Sequence, residues 1–381
     1  MCGWGENGAV TTKTTTPGSL PTALDHLIAR SVERAGGWIG FDRFMALALY
    51  APGLGYYANT LAKFGHMPSS GSDFVTAPEL TPMFGATLAA QVAEALEKTG
   101  TDTVWEFGAG SGALAVQLLH GLEAAGHRHV RYRIVDLSGT LRERQQQALA
   151  GHAGQVEWLG ELPEAMEGVV VGNEVLDAMP VQLLARAGGQ WFERGVVRNA
   201  AGDGWAWADR ATDLRPPVEV DGSHDYLTEI HPQARAFVAT LADRMKKGAA
   251  FFIDYGFPEA EYYHPQRHMG TVMCHRAHQA DGDPLSDVGH KDITAHVDFT
   301  GIALAGQDAG LSVLGYTSQA RFLLNCGLLA RMEAGSVAER AMAARLIHEH
   351  EMGELFKVVG FAVGEGWAAM GFREGDRSHT L

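Results

Sequence analysis

The chain has 381 residues, 46% of them hydrophobic and 20% charged, and its 30 Lys and Arg against 45 Asp and Glu give a formal net charge of −15. That composition belongs to a globular chain with ample core, and the acidic balance excludes broad nucleic-acid binding and docking on anionic lipid, both of which need surplus cations. No apolar run reaches the roughly 20 residues that insert across a bilayer, and Cys2, Cys274 and Cys326 make neither a disulfide framework nor a CxxC pair, which points to a reducing, cytoplasmic setting.

Residues 1–19 have one Lys, no Arg and one Glu and lack the basic-then-apolar order of a signal peptide, so they read as a floppy tail. Residues 20–100 read as mainly helical, with a Gly/Pro/Ser-rich loop over 65–78. Thr81 reads as an N-cap with Pro82 at the first helical position; Phe84, Leu88, Val92 and Leu96 then share a face, and Gly100 stops the helix. Residues 103–108 form a buried-strand pattern running into a glycine loop, followed by a helix over 113–125. A second strand covers 130–136, Ser138 caps a helix to Ala150, and residues 156–159 and 168–173 are the third and fourth strands. Strand and helix alternating in this way predict a doubly wound α/β fold with a mostly parallel sheet.

The alternation is then interrupted. Residues 181–209 carry Trp191, Trp205 and Trp207 around Gly-rich turns, an inserted antiparallel hairpin whose tryptophans read as packing. A helix opens at Pro232 and closes at Lys246-Lys247-Gly248, with its cations at the negative end of the dipole. The fifth strand covers 249–254 and a loop-rich stretch 255–296. Asp298 caps a helix that Gly310 ends, the sixth strand begins at Leu311, Ser336 and Glu339 make a capping box, and residues 355–363 form the last strand.

The strongest chemical signal is Glu106-Phe-Gly108-Ala109-Gly110-Ser-Gly112-Ala113 between the first strand and its helix. Glycines there let a ligand approach backbone amides at a helix N-terminus. Gly108-x-Gly110-x-x-Ala113 with Asp136 ending the second strand satisfies a dinucleotide fingerprint. The E/D-x-G-x-G-x-G loop of S-adenosylmethionine-dependent methyltransferases fits the same segment and also uses Glu106 and Gly112. A tight strand-to-helix turn with no ligand is the plainer alternative.

Further blocks accompany the loop. These are Gly71-Ser-Asp-Phe-Val-Thr76-Ala-Pro78-Glu79, Asn173-Glu174-Val-Leu-Asp177-Ala-Met-Pro180, Asp254-Tyr255-Gly256, Asp292-Ile-Thr-Ala-His296-Val-Asp298 and Met352-Gly-Glu-Leu-Phe-Lys357. With them the chain, from about Leu20 to Val363, resembles the MidA family, whose mitochondrial member is a complex I assembly factor and protein arginine methyltransferase. The resemblance implies a class I methyltransferase (Rossmann-like) sheet with an antiparallel last strand. It implies a helical N-terminal segment over 20–100 and a core over 101–381 with insertions at about 181–230 and 255–296. S-adenosyl-L-methionine would be held by Glu106, Gly108, Ala109, Gly110, Gly112, Asp136 (where the family commonly has Glu), Leu137 and Asn173, with Glu161 and Leu162 beside the adenine.

The acceptor implied is an arginine of a partner protein, and a planar cation needs carboxylates to hold it. Glu174, Asp177 and Asp254 are the candidate catalytic acids, and Thr76, Pro78, Glu79 and His296 the candidate substrate-side residues. Each acid also has a structural reading: helix-dipole complement for Glu174 and Asp177, a first-turn position for Glu79, a strand-end anchor for Asp254. His264, His268, Cys274, His275, His278, His290, His296 and Asp298 match no zinc spacing, and no metal is expected. A homodimer is one expected assembly. An NAD(P)-dependent oxidoreductase and a non-catalytic assembly chaperone are the rival functions.

Overall fold

The computed structural model describes residues 22–59, 76–136, 139–276 and 279–381. The tail, most of the 65–78 loop, Leu137, Ser138 and His278 therefore lie outside the described residues. In chain order the first elements are α1 (Ala23–Arg34), β1 (Ile39–Gly40), α2 (Phe41–Tyr50), α3 (Ala77–Leu80) and α4 (Met83–Thr99). The alternating core follows as β2 (Thr103–Phe107), α5 (Ala113–Ala124), β3 (Arg131–Val135), α6 (Gly139–Ala148), β4 (Val156–Leu159) and β5 (Met166–Asn173). Next come β6 (Gln182–Ala187), β7 (Gln190–Arg198), β8 (Trp205–Ala211), β9 (Tyr226–Ile230), α7 (Pro232–Arg244) and β10 (Met245–Phe257). The remainder is α8 (Glu259–Tyr262), β11 (Met273–Arg276), β12 (Gln279–Asp281), β13 (Asp292–Thr294), β14 (Val297–Asp298), α9 (Phe299–Asp308), β15 (Leu311–Ser318), α10 (Gln319–Asn325), α11 (Leu328–Ala334), α12 (Val337–Ile347) and β16 (Phe356–Val363).

The central sheet has the order β15-β16-β10-β5-β2-β3-β4, with β14 beside β10. Its pairings are parallel from β4 to β10, whereas β16 runs antiparallel to both β10 and β15. The order reverses between β2 and β5, the crevice where open α/β sheets bind ligands. Strands buried on both faces explain the near-continuous apolar runs Val169-Val170-Val171 and Phe251-Phe252-Ile253. One face packs on α4, α5 and α10–α12 and the other on α7 and α9.

The N-terminal helices divide. α4 packs on the main sheet, while α1 and α2 pack with β6, β7, β11 and β13 from the two insertions. The first insertion supplies β6–β9 of a five-stranded antiparallel sheet, and β1 from the N-terminal segment is its fifth strand. Trp205 and Trp207 meet Phe44 and Phe41 of α2, so they pack as expected.

Three local expectations are corrected. The helix over 83–99 takes Pro82 as its cap, because α3 precedes it and Thr81 is extended, its hydroxyl accepting from the Met83 amide at 3.3 Å. Lys246 and Lys247 lie in β10 rather than in the last turn of α7, because that strand already pairs with β5 at Met245. The loop-rich stretch contains the three-stranded sheet β12-β11-β13; those strands are too short for an alternation to stand out. The caps at Asp298 and Ser336 form as the sequence predicts.

Candidate functional site

The carboxyl ends of the central strands open on a cavity of about 1830 Å³. That exceeds the roughly 300–1,000 Å³ of a small-molecule site. Gly108, Ala109 and Gly110 form one wall, with φ of 64° at Gly108 and 53° at Gly110, backbone that side-chain-bearing residues rarely adopt. A Cβ on Gly108 would meet the Val175 side chain at 3.1 Å. Gly112 does not line the cavity. It caps α5 at φ 86°, and a Cβ there would press on Gln145 of α6 at 3.3 Å, so its glycine serves helix packing.

Asp136 and Glu106 line the cavity beside this loop, as do Glu161 and Leu162 after β4. Gln145 links the parts: its amide nitrogen donates to Asp136 at 2.8 Å and to the Gly110 carbonyl at 3.1 Å, and its oxygen accepts from Trp158 at 3.0 Å. Glu106 is buried and accepts from the Tyr132 hydroxyl at 2.7 Å; burial pushes its carboxyl up to about 8.

Thr76, Pro78 and Glu79 also line the cavity. Glu79 is buried in the first turn of α3 and accepts from the Ser111 hydroxyl, which ties α3 to the glycine loop. Gln117 fixes the same corner, donating to the Pro78 carbonyl at 2.7 Å and accepting from the Gly85 amide at 2.9 Å.

After β5 the chain turns sharply. Glu174 sits at φ 54°, a conformation that costs of order 1–3 kcal/mol and concentrates at functional sites. Asn173 donates to Glu174 at 2.9 Å, and the Asn173 amide oxygen is buried with no hydrogen-bond partner among the described residues. Asp177 accepts from the Tyr255 hydroxyl at 2.5 Å, and its second oxygen likewise has no partner among the described residues. Asn173, Glu174 and Asp177 all face the cavity. Burial, then the neighbouring Asp177, raises Glu174 to about 8; burial raises Asp177 to about 6.

Asp254 is different, and its expected place among the acceptor-holding acids is corrected. One oxygen accepts from the amides of Val175, Leu176 and Asp177 at 2.9–3.2 Å and the other from Tyr255 at 2.9 Å, and Asp254 does not line the cavity. It anchors the turn that carries Glu174. Leu137 lies outside the described residues. His296 lines the cavity between Tyr255 and Phe257, and burial lowers its imidazole to about 4, so it is neutral at pH 7. Among the described residues no group of three or more His, Cys, Asp or Glu is placed to hold a metal ion.

The structure adds Gln145, Gln117, Tyr50, Tyr57, Tyr255 and Asp292 to the site. Tyr255 and Asp292 fall within sequence blocks that drew attention, but the other four carry no spacing signal at all.

A doubly wound sheet with an antiparallel last strand, a glycine loop after its first core strand and an acid after the second defines the class I methyltransferase architecture. The model of a family described as S-adenosyl-L-methionine-dependent methyltransferases, Methyltransf_28, matches residues 87–317, and the chain belongs to that family. The crystal structure of a COG1565 superfamily protein from Burkholderia thailandensis bound to S-adenosyl-homocysteine is 50% identical, with a TM-score of 0.90 over 94% of this chain and 96% of that one. Among curated proteins, the Danio rerio protein arginine methyltransferase NDUFAF7, mitochondrial, is 27% identical, over 86% of this chain and 82% of its own length. The Caenorhabditis elegans homologue is 26% identical, over 82% of this chain and 79% of its own. The protein is thus an S-adenosylmethionine-dependent methyltransferase, which sets aside the oxidoreductase reading of the loop. The relatives are named mitochondrial, which overturns the cytoplasmic location expected from the sequence. No helix of the described residues is long and apolar enough to cross a membrane.

Proposed function

We propose that the protein transfers a methyl group from S-adenosylmethionine to an arginine side chain of a partner protein. The observation that carries the reading is that Glu174 and Asp177 line the same cavity as the glycine loop. The relatives' names support arginine as acceptor, and the MidA resemblance supports a partner in respiratory complex I assembly. We treat residues 101–381 as one catalytic core whose insertions, with α1 and α2, wall the acceptor side. A homodimer is the assembly we put to test by light scattering.

The residues fit the cofactor. Gly108 and Gly110 line the cavity in left-handed backbone with no side chain between it and a ligand, Asp136 is held in place by Gln145, and the Asn173 oxygen, without a partner among the described residues, is a ready acceptor. Glu106 and Ala109 complete that wall, and Glu161 and Leu162 stand beside the adenine. When bound, the cofactor supplies an electrophilic methyl group on a cationic sulfur.

Glu174 and Asp177 hold the guanidinium by charge-assisted hydrogen bonds, which fix the attacking nitrogen. The guanidinium must lose one proton as its nitrogen gains the methyl group. Raised pKa values suit both acids to that exchange: an arriving cation favours their charged forms, and either can then take up the proton. Neutral His296, with Thr76, Pro78 and Glu79, closes the site against water.

The test is transfer of labelled methyl from S-adenosylmethionine to proteins of a lysate lacking the endogenous protein. Wild-type protein labels acceptor protein, and Glu174→Gln labels about 100-fold more slowly with unchanged affinity for S-adenosylhomocysteine. Cofactor binding without any protein labelling would contradict the proposal and leave a non-catalytic assembly role.

A further inference from the structure

The cavity has an acidic wall that the sheet does not supply. Asp292, in β13 of the second insertion, is 2% exposed and accepts from the Tyr57 hydroxyl on both oxygens, at 2.9 and 2.8 Å. The Tyr57 and Tyr50 rings stack at 5.6 Å and 22°. Tyr50 donates to the Ala178 carbonyl at 2.7 Å, and the Ala295 amide donates to the Asp177 carbonyl at 2.9 Å. Two parts of the chain far apart in sequence are thereby tied to the turn that carries Glu174 and Asp177, and Tyr50, Tyr57 and Asp292 line the same cavity.

We propose that Asp292, oriented by Tyr57, is a further acid of the acceptor pocket, and that the stacked Tyr50 and Tyr57 rings form its flat wall, selecting a guanidinium over an ammonium. The inference rests on the arginine reading above. A guanidinium presents five N–H donors in a rigid plane, so acids along one edge leave the other edge and both faces unmatched. A carboxylate on a separate element meets the second edge, and aromatic rings accept the face; a lysine ammonium has no face to stack. The Tyr57 hydroxyl bridges both Asp292 oxygens and so fixes the carboxylate plane. The charge sum agrees: Asp177 and Asp292 both push the Glu174 carboxyl up, a repulsion that an arriving cation relieves.

The experiment is steady-state methyl transfer to lysate acceptor protein, with the half-saturating acceptor and S-adenosylmethionine concentrations measured separately. Asp292→Asn keeps an oxygen for Tyr57 and removes the charge. It raises the half-saturating acceptor concentration about tenfold, leaves that for S-adenosylmethionine within about twofold, and Asp292→Glu recovers part of the loss. Tyr57→Phe keeps the ring and gives an intermediate loss of about threefold. An Asp292→Asn enzyme with unchanged acceptor dependence overturns the inference while leaving arginine transfer standing. So does one in which both dependences and the affinity for S-adenosylhomocysteine shift together, since a purely structural tether does that. A wild-type enzyme that puts its label on residues other than arginine overturns the arginine reading itself.

Discussion

Asp254, in β10, and Glu174, in the turn after β5, are neighbouring carboxyl groups that do opposite things. Asp254 spends both oxygens on backbone amides, whereas Glu174 is held into the cavity by one side-chain donor and a strained backbone. Asp254→Asn puts an amide donor where one of those oxygens accepts, and unfolding by denaturant should show a loss of about 2 kcal/mol. Glu174→Gln removes a carboxyl that burial raises to about 8, so near neutral pH the variant should be at least as stable as wild type and lose transfer instead. Glu106 adds a pH signature. Its carboxyl ionises at about 8 when folded against 4.5 ordinarily. Its contribution is therefore complete below the lower value and is lost as pH rises through the higher one. Thermal melts of Glu106→Gln and wild type should nearly coincide near about pH 5 and separate by about pH 8.5, the variant then being the more stable.

At the scale of elements, the glycine loop is positioned by helices as much as by strands. α6 reaches it through Gln145, which grips Asp136 and the loop carbonyl together. Gln145→Leu keeps the bulk and releases both, so calorimetry should show S-adenosylhomocysteine binding weakened about tenfold. Strands and loop were readable in the sequence because buried parallel strands and glycine turns write their constraints locally, in apolar runs and positive φ. Gln145 was not readable: one Gln among Arg-Glu-Arg-Gln-Gln-Gln on a polar helix looks like any solvated residue, and only the approach of α6 to Gly112 singles it out. Tyr57 and Asp292 were hidden for another reason, since a contact across 235 positions leaves no period or spacing. Asp254 was placed correctly in its strand, but the strand runs on to Phe257, and three of the four amides on its oxygens come from the turn after another strand.

Over the whole molecule, the acid surplus has two uses. Most of the 45 acids are solvated surface, whereas a few converge where sheet, N-terminal helix α2 and second insertion meet. Apolar contacts hold α1 and α2 against the insertions rather than on the main sheet, and in the proposed function these elements together wall the acceptor side. A net charge of −15 also favours encounter with a basic segment, and raising the salt should slow transfer at low acceptor concentration more than at saturation. The central claim is that the methyl group reaches arginine. Acid hydrolysis and amino-acid analysis of proteins labelled by the purified enzyme should place the label in methylarginine, with Glu174→Gln and Asp292→Asn lowering it; label recovered in methyllysine or other products, with none in methylarginine, would contradict the account.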